Sequence, residues 1–129
     1  MNSPDQGLDP TTTVHHLRET IREFVDERDW RQFHSPKNLS MALAIEAAEL
    51  MEHFQWITPT ESRQLDDDSK QAAAEELADV LCYALAIANE LNIDVAATLH
   101  QKMQKNRDKY PVKEFRGRYG MDDPNPVSG

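Results

Sequence analysis

Between Val14 and Met103 the apolar residues recur every three to four positions, and no segment alternates apolar and polar residues in the manner of a half-buried strand. A repeat near 3.6 puts one apolar stripe on each helix, so the chain is committed to packing helices against helices. Val14, Leu17, Ile21, Phe24 and Val25 mark a first helix ending near Arg28. Ser35 caps a second, with Pro36 at its first position, and Leu39, Leu43, Leu50, Met51 and Phe54 continue its stripe to about Trp56. Thr58-Pro59-Thr60-Glu61 has the form of a capping box and opens a short helical turn. Asp66, Asp67, Asp68 and Ser69 then place negative charge where the dipole of a third long helix favours it. Leu77, Val80, Leu81, Ala84, Leu85, Ala88 and Leu91 run along that helix until Asn92 breaks it. Asp94 caps a fourth, whose apolar face holds Val95, Leu99 and Met103 and which Pro111 stops. The expected fold is all-α, a bundle of four main helices in a single domain over residues 11–116. Residues 1–10, with Ser3, Pro4, Gly7 and Pro10, read as a disordered leader, and residues 117–129, with Pro124 and Pro126, as a disordered tail. Met41, Met51, Met103 and Cys82 are expected in the core.

The chain has 129 residues, a length that suits one domain. Its longest apolar stretches fall far short of the roughly 20 residues needed to span a bilayer, and its first ten residues have neither a basic start nor an apolar core, so membrane and secreted classes drop out. One cysteine, Cys82, makes neither an internal disulfide nor a cysteine-based zinc site, which fits a reducing cytoplasm. A net charge of −9 argues against general nucleic-acid binding. The charge is unevenly spread: Lys102 to Arg118 holds seven basic and two acidic residues, so any anion would be met by this segment.

Glu46 and Glu49 lie three residues apart on the second helix, and Glu76 and Asp79 repeat that spacing on the third, with Tyr83 on the same face. At about 100° per residue each pair shares one surface. The plain alternative is a pair of solvated acidic faces. Against it, Glu46 stands between Leu43-Ala44-Ile45 and Ala47-Ala48, and Asp79 between Leu77-Ala78 and Val80-Leu81, surroundings that imply partial burial. Four carboxylates sharing apolar surroundings repel one another, and a hard divalent cation relieves that repulsion. Magnesium, or manganese, suits an all-oxygen donor set and shares itself readily with phosphates. A di-iron bundle would ask for two Glu-x-x-His motifs, whereas Glu52 follows Glu49 by three and Asp79 follows Glu76 by three. His53, four residues after Glu49, either joins the site or packs at the rim of the helix face.

Glu46-x-x-Glu49, followed after 26 residues by Glu76-x-x-Asp79, resembles the metal motif of the MazG-like all-α nucleoside triphosphate pyrophosphohydrolases. The likeness extends to Glu27-Arg28-Asp29-Trp30, Gln32-Phe33-His34, Phe54-Gln55-Trp56, Glu75-Glu76-Leu77-Ala78-Asp79-Val80-Leu81 with Tyr83, and Lys102-Met103 with Asn106-Arg107 and Tyr110-Pro111, which are similar to the dCTP pyrophosphatase branch. It covers about Leu17 to Pro111. The resemblance implies hydrolysis of the α–β phosphoanhydride of a nucleotide, a house-cleaning step that yields a nucleoside monophosphate and pyrophosphate. It implies Mg²⁺, with Mn²⁺ as a substitute, held by Glu46, Glu49, Glu76 and Asp79. Trp30, Arg31, Gln32, Phe33, His34, Trp56 and Tyr83 would surround the nucleoside, and Lys102, Asn106 and Lys109 would meet phosphates. Glu49 and Glu76 are the candidate proton acceptors, ahead of Glu75. Family members build sites between chains, which implies a homodimer or homotetramer. One position departs from the pattern: Ile21 stands where mammalian relatives place a nucleotide-contacting histidine, leaving base preference open. The spacing of Lys102, Asn106 and Lys109 independently puts them on one helix face suited to phosphate. Aromatic faces such as Trp30, Phe33 and Trp56 can stack on a base or seal the bundle ends. A non-catalytic helical interaction module with solvated acidic faces is the competing functional class.

Overall fold

In the computed structural model the described residues are 7–118, and among them there is no strand. Four long helices appear: α1 (Val14–Glu27), α2 (Pro36–Glu52), α4 (Asp67–Leu91) and α5 (Val95–Lys109), with the short α3 (Pro59–Ser62) and α6 (Val112–Phe115). A 3₁₀ turn, Arg31–Phe33, joins α1 to α2. Residues 1–6 of the expected leader and 119–129 of the expected tail lie outside the described residues. Among the described residues no single helix is long and apolar enough to cross a membrane.

Each long helix starts where a side-chain oxygen takes up a free backbone N–H. Thr13 accepts from the N–H of His16, Ser35 from Asn38, Asp66 from Ser69 and Asp94 from Ala97. Thr58 and Glu61 satisfy each other's backbone at α3, completing the capping box. Asn92 ends α4 in the left-handed conformation at φ 53°, which asparagine tolerates better than most residues. Helix α2 stops at Glu52, earlier than the expected limit near Trp56. There the N–H groups of His53, Phe54 and Ile57 donate to Leu50, Met51 and Phe54, each three residues back, tightening the chain into turns before Thr58. Helix α6 is an addition to the expected elements: Pro111 stops α5 and serves as the N-cap of a new turn, where Phe115 packs edge-on against Tyr110 at 5.1 Å.

The described residues divide into two compact units at Ile93/Asp94. In the first, α1 and α2 both pack on α4. Its core is Val25 from α1, Leu39 from α2, and Ala73, Leu85, Ala86 and Ala88 from α4. Leu39, at 2% exposure, is the most deeply covered of the large side chains. Arg18 locks the end of α4 to α1, its guanidinium donating to Asn89 Oδ1 (2.9 Å) and to the carbonyls of Ile93 (2.6 Å) and Ala88 (3.1 Å). Met41, Met51, Leu77 and Leu81, expected inside, are exposed in this chain. The physical reason is that α2 and α4 are apolar on more than one face, and one chain covers only one of them. In the second unit Met103 is likewise exposed on α5.

Candidate functional site

Helices α2 and α4 bring Glu46, Glu49 and Glu76 together, with one carboxylate oxygen from each within 4.8 Å of the others. All three are half-buried. Glu46 Oε2 and Glu76 Oε2 are fully covered and face no donor among the described residues. Such an oxygen is satisfied by a proton shared with a neighbouring carboxylate or by a cation. The first solution raises the proton affinity: a side-chain hydrogen bond with Glu49, burial, and the charges of Glu49 and Asp79 push Glu46 up to about 7. Burial, followed by the charge of Glu49, also raises Glu76. The second solution is the one the donor set fits, since three convergent hard oxygens with two covered and unpartnered make a cradle for a divalent cation. Asp79 is exposed and adds its charge beside the cluster without joining the three.

Next to the cluster lies a cavity of about 260 Å³, lined by Glu46 and Asp79 at one end and by Ile21, Phe24, Val25, Trp30, His34, Cys82, Tyr83 and Ala86. Helix α4 supplies Asp79, Cys82, Tyr83 and Ala86 at helical spacing, so one face of a single helix runs from the acidic end to the apolar one. The Tyr83 phenol is held protonated, pushed up by burial and then by the charge of Glu46. Cys82, expected as a core residue, is exposed and borders the cavity. Burial of part of its side chain and the charge of Asp79 raise its thiol, which disfavours the nucleophilic thiolate. The Trp30 ring stands edge-on to Phe24 at 5.6 Å. A second cavity of about 300 Å³ shares Ile21, Val25, His34 and Ala86 with the first and continues to Arg22, Asp26, Arg31, Asn89, Glu90 and Asn92. An acidic cation cradle at one end of an aromatic and aliphatic slot is an arrangement for a molecule with a polyanionic part and a flat part.

The model of the MazG-like family matches residues 41–119, which contain both acidic pairs. The chain belongs to the MazG-like family. This MazG-like protein is 44% identical over 110 residues to dCTP pyrophosphatase 1 of Mus musculus and 42% identical over 108 residues to that of Homo sapiens. These alignments cover 84% and 82% of the chain and 65% and 64% of the relatives, so the chain spans less than two thirds of their length. Among solved structures, a pyrophosphatase from Archaeoglobus fulgidus superposes with a TM-score of 0.71 at 40% identity, covering 75% of this chain and 91% of that one. The all-α fold expected from periodicity is the fold of that neighbour.

Of the residues singled out in the sequence, Glu46, Glu49 and Glu76 meet in the cluster, and Trp30, His34, Asp79 and Tyr83 line the first cavity. Arg31 is turned elsewhere: its Nε lies 3.5 Å from Glu90 Oε1, beside the second cavity. Gln32 closes its own turn, donating from Nε2 to the Asp29 carbonyl at 2.9 Å and to Asp29 Oδ2 at 3.3 Å. Phe33 and Trp56 are 61% and 86% exposed and line neither cavity. His53 caps the C-terminus of α2. Lys102, Asn106 and Lys109 follow one face of α5 in the second unit, where Asn106 Nδ2 lies 3.8 Å from Met103 Sδ and Lys109 Nζ is 5.3 Å from the Tyr110 ring centre. Phe24, Cys82, Ala86 and Glu90 were not singled out as ligand-facing in the sequence. For Cys82, Ala86 and Glu90 the available signal is the continuation of the Asp79–Tyr83 face by further steps of three and four along α4.

Proposed function

We propose that the protein hydrolyses the α–β phosphoanhydride of dCTP or a base-modified dCTP, releasing the monophosphate and pyrophosphate, as a nucleotide-pool house-cleaning enzyme of the cytoplasm. The observation that carries this reading is that Glu46 belongs both to the three-carboxylate cluster and to the wall of the cavity holding Trp30, His34 and Tyr83. The relatives named dCTP pyrophosphatase 1 and the pyrophosphatase from Archaeoglobus fulgidus support it. Glu46, Glu49 and Glu76 would hold the divalent cation, with Asp79 beside them, and Mg²⁺ is the proposed ion with Mn²⁺ as a substitute. When bound, the cation neutralises phosphate charge and activates the attacking water. Tyr83, kept protonated, offers an O–H donor in the wall between the acidic end and the apolar slot. Trp30 and Phe24 present aromatic surface to the base, and Ile21, Val25 and Ala86 exclude water from its edge. Glu49 and Glu76 are the proposed proton acceptors for the attacking water. Lys102, Asn106 and Lys109 are proposed as phosphate contacts, and the exposed apolar face of Met41, Ile45, Leu77 and Leu81 supports self-association as a dimer or tetramer.

The deciding experiment is pyrophosphate release from a panel of canonical and modified nucleoside triphosphates, with Mg²⁺ and with a chelator, for the wild type and for Glu49→Gln. The reading predicts metal-dependent release that favours dCTP and is lost in the variant with its helical signal intact. Release from other bases would preserve the chemistry and move the specificity. Absence of release by the folded, Mg²⁺-supplied wild type would overturn the enzyme reading.

A further inference from the structure

The segment that carries Trp30 and His34 into the cavity is the 3₁₀ turn between α1 and α2. Within the turn Gln32 bonds back to Asp29, which itself sits at φ 52°. The Trp30 N–H donates to the Val25 carbonyl of α1 at 3.0 Å, and Asn38 Nδ2 donates to the Phe33 carbonyl at 3.2 Å from the first turn of α2. Neither bond reaches α4, the helix that supplies Asp79 and Tyr83. That link is made by Arg31, whose Nε lies 3.5 Å from Glu90 Oε1. The other ion pairs among the described residues, Arg22–Glu19 and Arg28–Glu27, join near neighbours within one stretch of α1 and its cap, whereas this one joins residues distant in sequence. Its two partners are unequal: the Glu90 side chain is 21% exposed, held on α4, while that of Arg31 is 71% exposed and rides on the turn.

We infer that Arg31 and Glu90 are a positioning pair: the carboxylate on α4 pins the turn through the guanidinium, and thereby sets Trp30 and His34 against the nucleoside, while Arg31 itself does not touch the substrate. This rests on the reading of the first cavity as the nucleoside site. Its place follows from the linings, since Arg31 and Glu90 border only the second cavity, His34 borders both, and Trp30 borders the first. Loosening the pin costs ordered Trp30 and His34 and so weakens substrate binding, while the carboxylates that carry the chemistry are untouched.

The test is dCTP hydrolysis with Mg²⁺ by the wild type, Arg31→Glu, Glu90→Arg and the double exchange, resolved into kcat and KM, with thermal unfolding of each. A pin predicts that both single reversals raise KM by about three- to fivefold, the range that one exposed ion pair supplies, with kcat within about twofold. The double exchange restores KM, because it rebuilds the pair with the charges swapped. A long-range field on the triphosphate would instead move KM in opposite directions for the two singles, since one adds negative and the other positive charge, and would overturn the inference. A double variant as impaired as Arg31→Glu would also overturn it, because the guanidinium would then be needed for itself. Should Glu90→Arg fail to fold, Glu90→Gln carries the same expectation of raised KM with unchanged kcat, and an unchanged KM there refutes the pin. A folded wild type inactive on every nucleotide overturns the nucleotide reading and the pin together, whereas an active wild type with indifferent singles overturns the pin alone.

Discussion

Replacing Ala86 with leucine tests the assignment of the cavity with little effect expected on the fold. Ala86 is 5% exposed and borders both cavities, so a larger side chain there has space on the ligand side. The three added carbons, buried, favour the folded chain by up to about 2.4 kcal/mol at roughly 0.8 kcal/mol each. Crowding against the α1 wall at Val25 and Ile21 opposes this by about 1–3 kcal/mol. The two nearly cancel, and the melting temperature is expected to stay within about 5 °C of the wild type. For the nucleotide the cost is direct, because the leucine occupies space between Ile21 and Tyr83 where the base would lie. Losing the contact of one stacked base, about 1–3 kcal/mol, raises KM for dCTP by about 5- to 150-fold. At saturating dCTP kcat should fall much less, since Glu46, Glu49 and Glu76 keep their places. Pyrophosphate release across a dCTP titration, alongside a thermal scan, provides both numbers. A KM within about twofold of wild type, with stability unchanged, would refute the placement of the nucleoside in this cavity; a drop in melting temperature beyond about 10 °C would refute the claim that there is room beside Ala86.

Leu39→Ala removes the best-covered large side chain of the first unit and should cost about 2–5 kcal/mol, read as a lower urea midpoint with an unchanged slope. In the capping box the backbone N–H of Thr58 and then its side chain hold Glu61 below the ordinary value of 4.5. Because the folded value is the lower one, this contribution is present above the unfolded pKa and is lost as pH falls through the folded pKa. Glu61→Gln should therefore melt below wild type at neutral pH, and the gap should close on acidification below the ordinary carboxylate range. Removing divalent ions with a chelator should lower the melting temperature of the wild type and abolish turnover. In the chelator, Glu46→Gln should melt at or above wild type, since it takes one charge out of the cluster, and it should no longer respond to added Mg²⁺.

Local chemistry made much of this fold readable before the structure. Ser35, Thr58 and Asp94 each cap the helix that their position announces, because a cap is decided within four residues. The pairing of Glu46 with Glu49 on α2, and of Glu76 with Asp79 on α4, was readable for a related reason, since helical spacing fixes which side chains share a face, whereas the packing of α2 on α4 brings the first three together and leaves Asp79 beside them. What periodicity leaves undecided is which apolar face a single chain covers when a helix has more than one, and so Met41 and Leu77 were expected inside and are exposed. The end of α2 is hidden in the sequence because its stripe runs on into Phe54 while the backbone has already tightened into turns. The Arg31–Glu90 pair joins two segments whose proximity only tertiary packing creates, and neither residue's local context signals the other.

Half of the cavity wall comes from a part of the chain that carries none of the clustered carboxylates. The carboxylates stand on α2 and α4, whereas Ile21, Phe24, Val25, Trp30 and His34 come from α1 and the turn behind it. Substitutions that reshape what the slot accepts can therefore accumulate in a stretch of some fourteen residues, Ile21–His34, without disturbing the cation cradle. Helices α2 and α4 serve both, α2 through Glu46, and α4 through Glu76 of the cluster and Asp79, Cys82, Tyr83 and Ala86 of the wall. Those two helices are the shared chassis, and the segment from α1 to the turn is the exchangeable part through which such a scaffold can change what the slot accepts while keeping its carboxylate cluster.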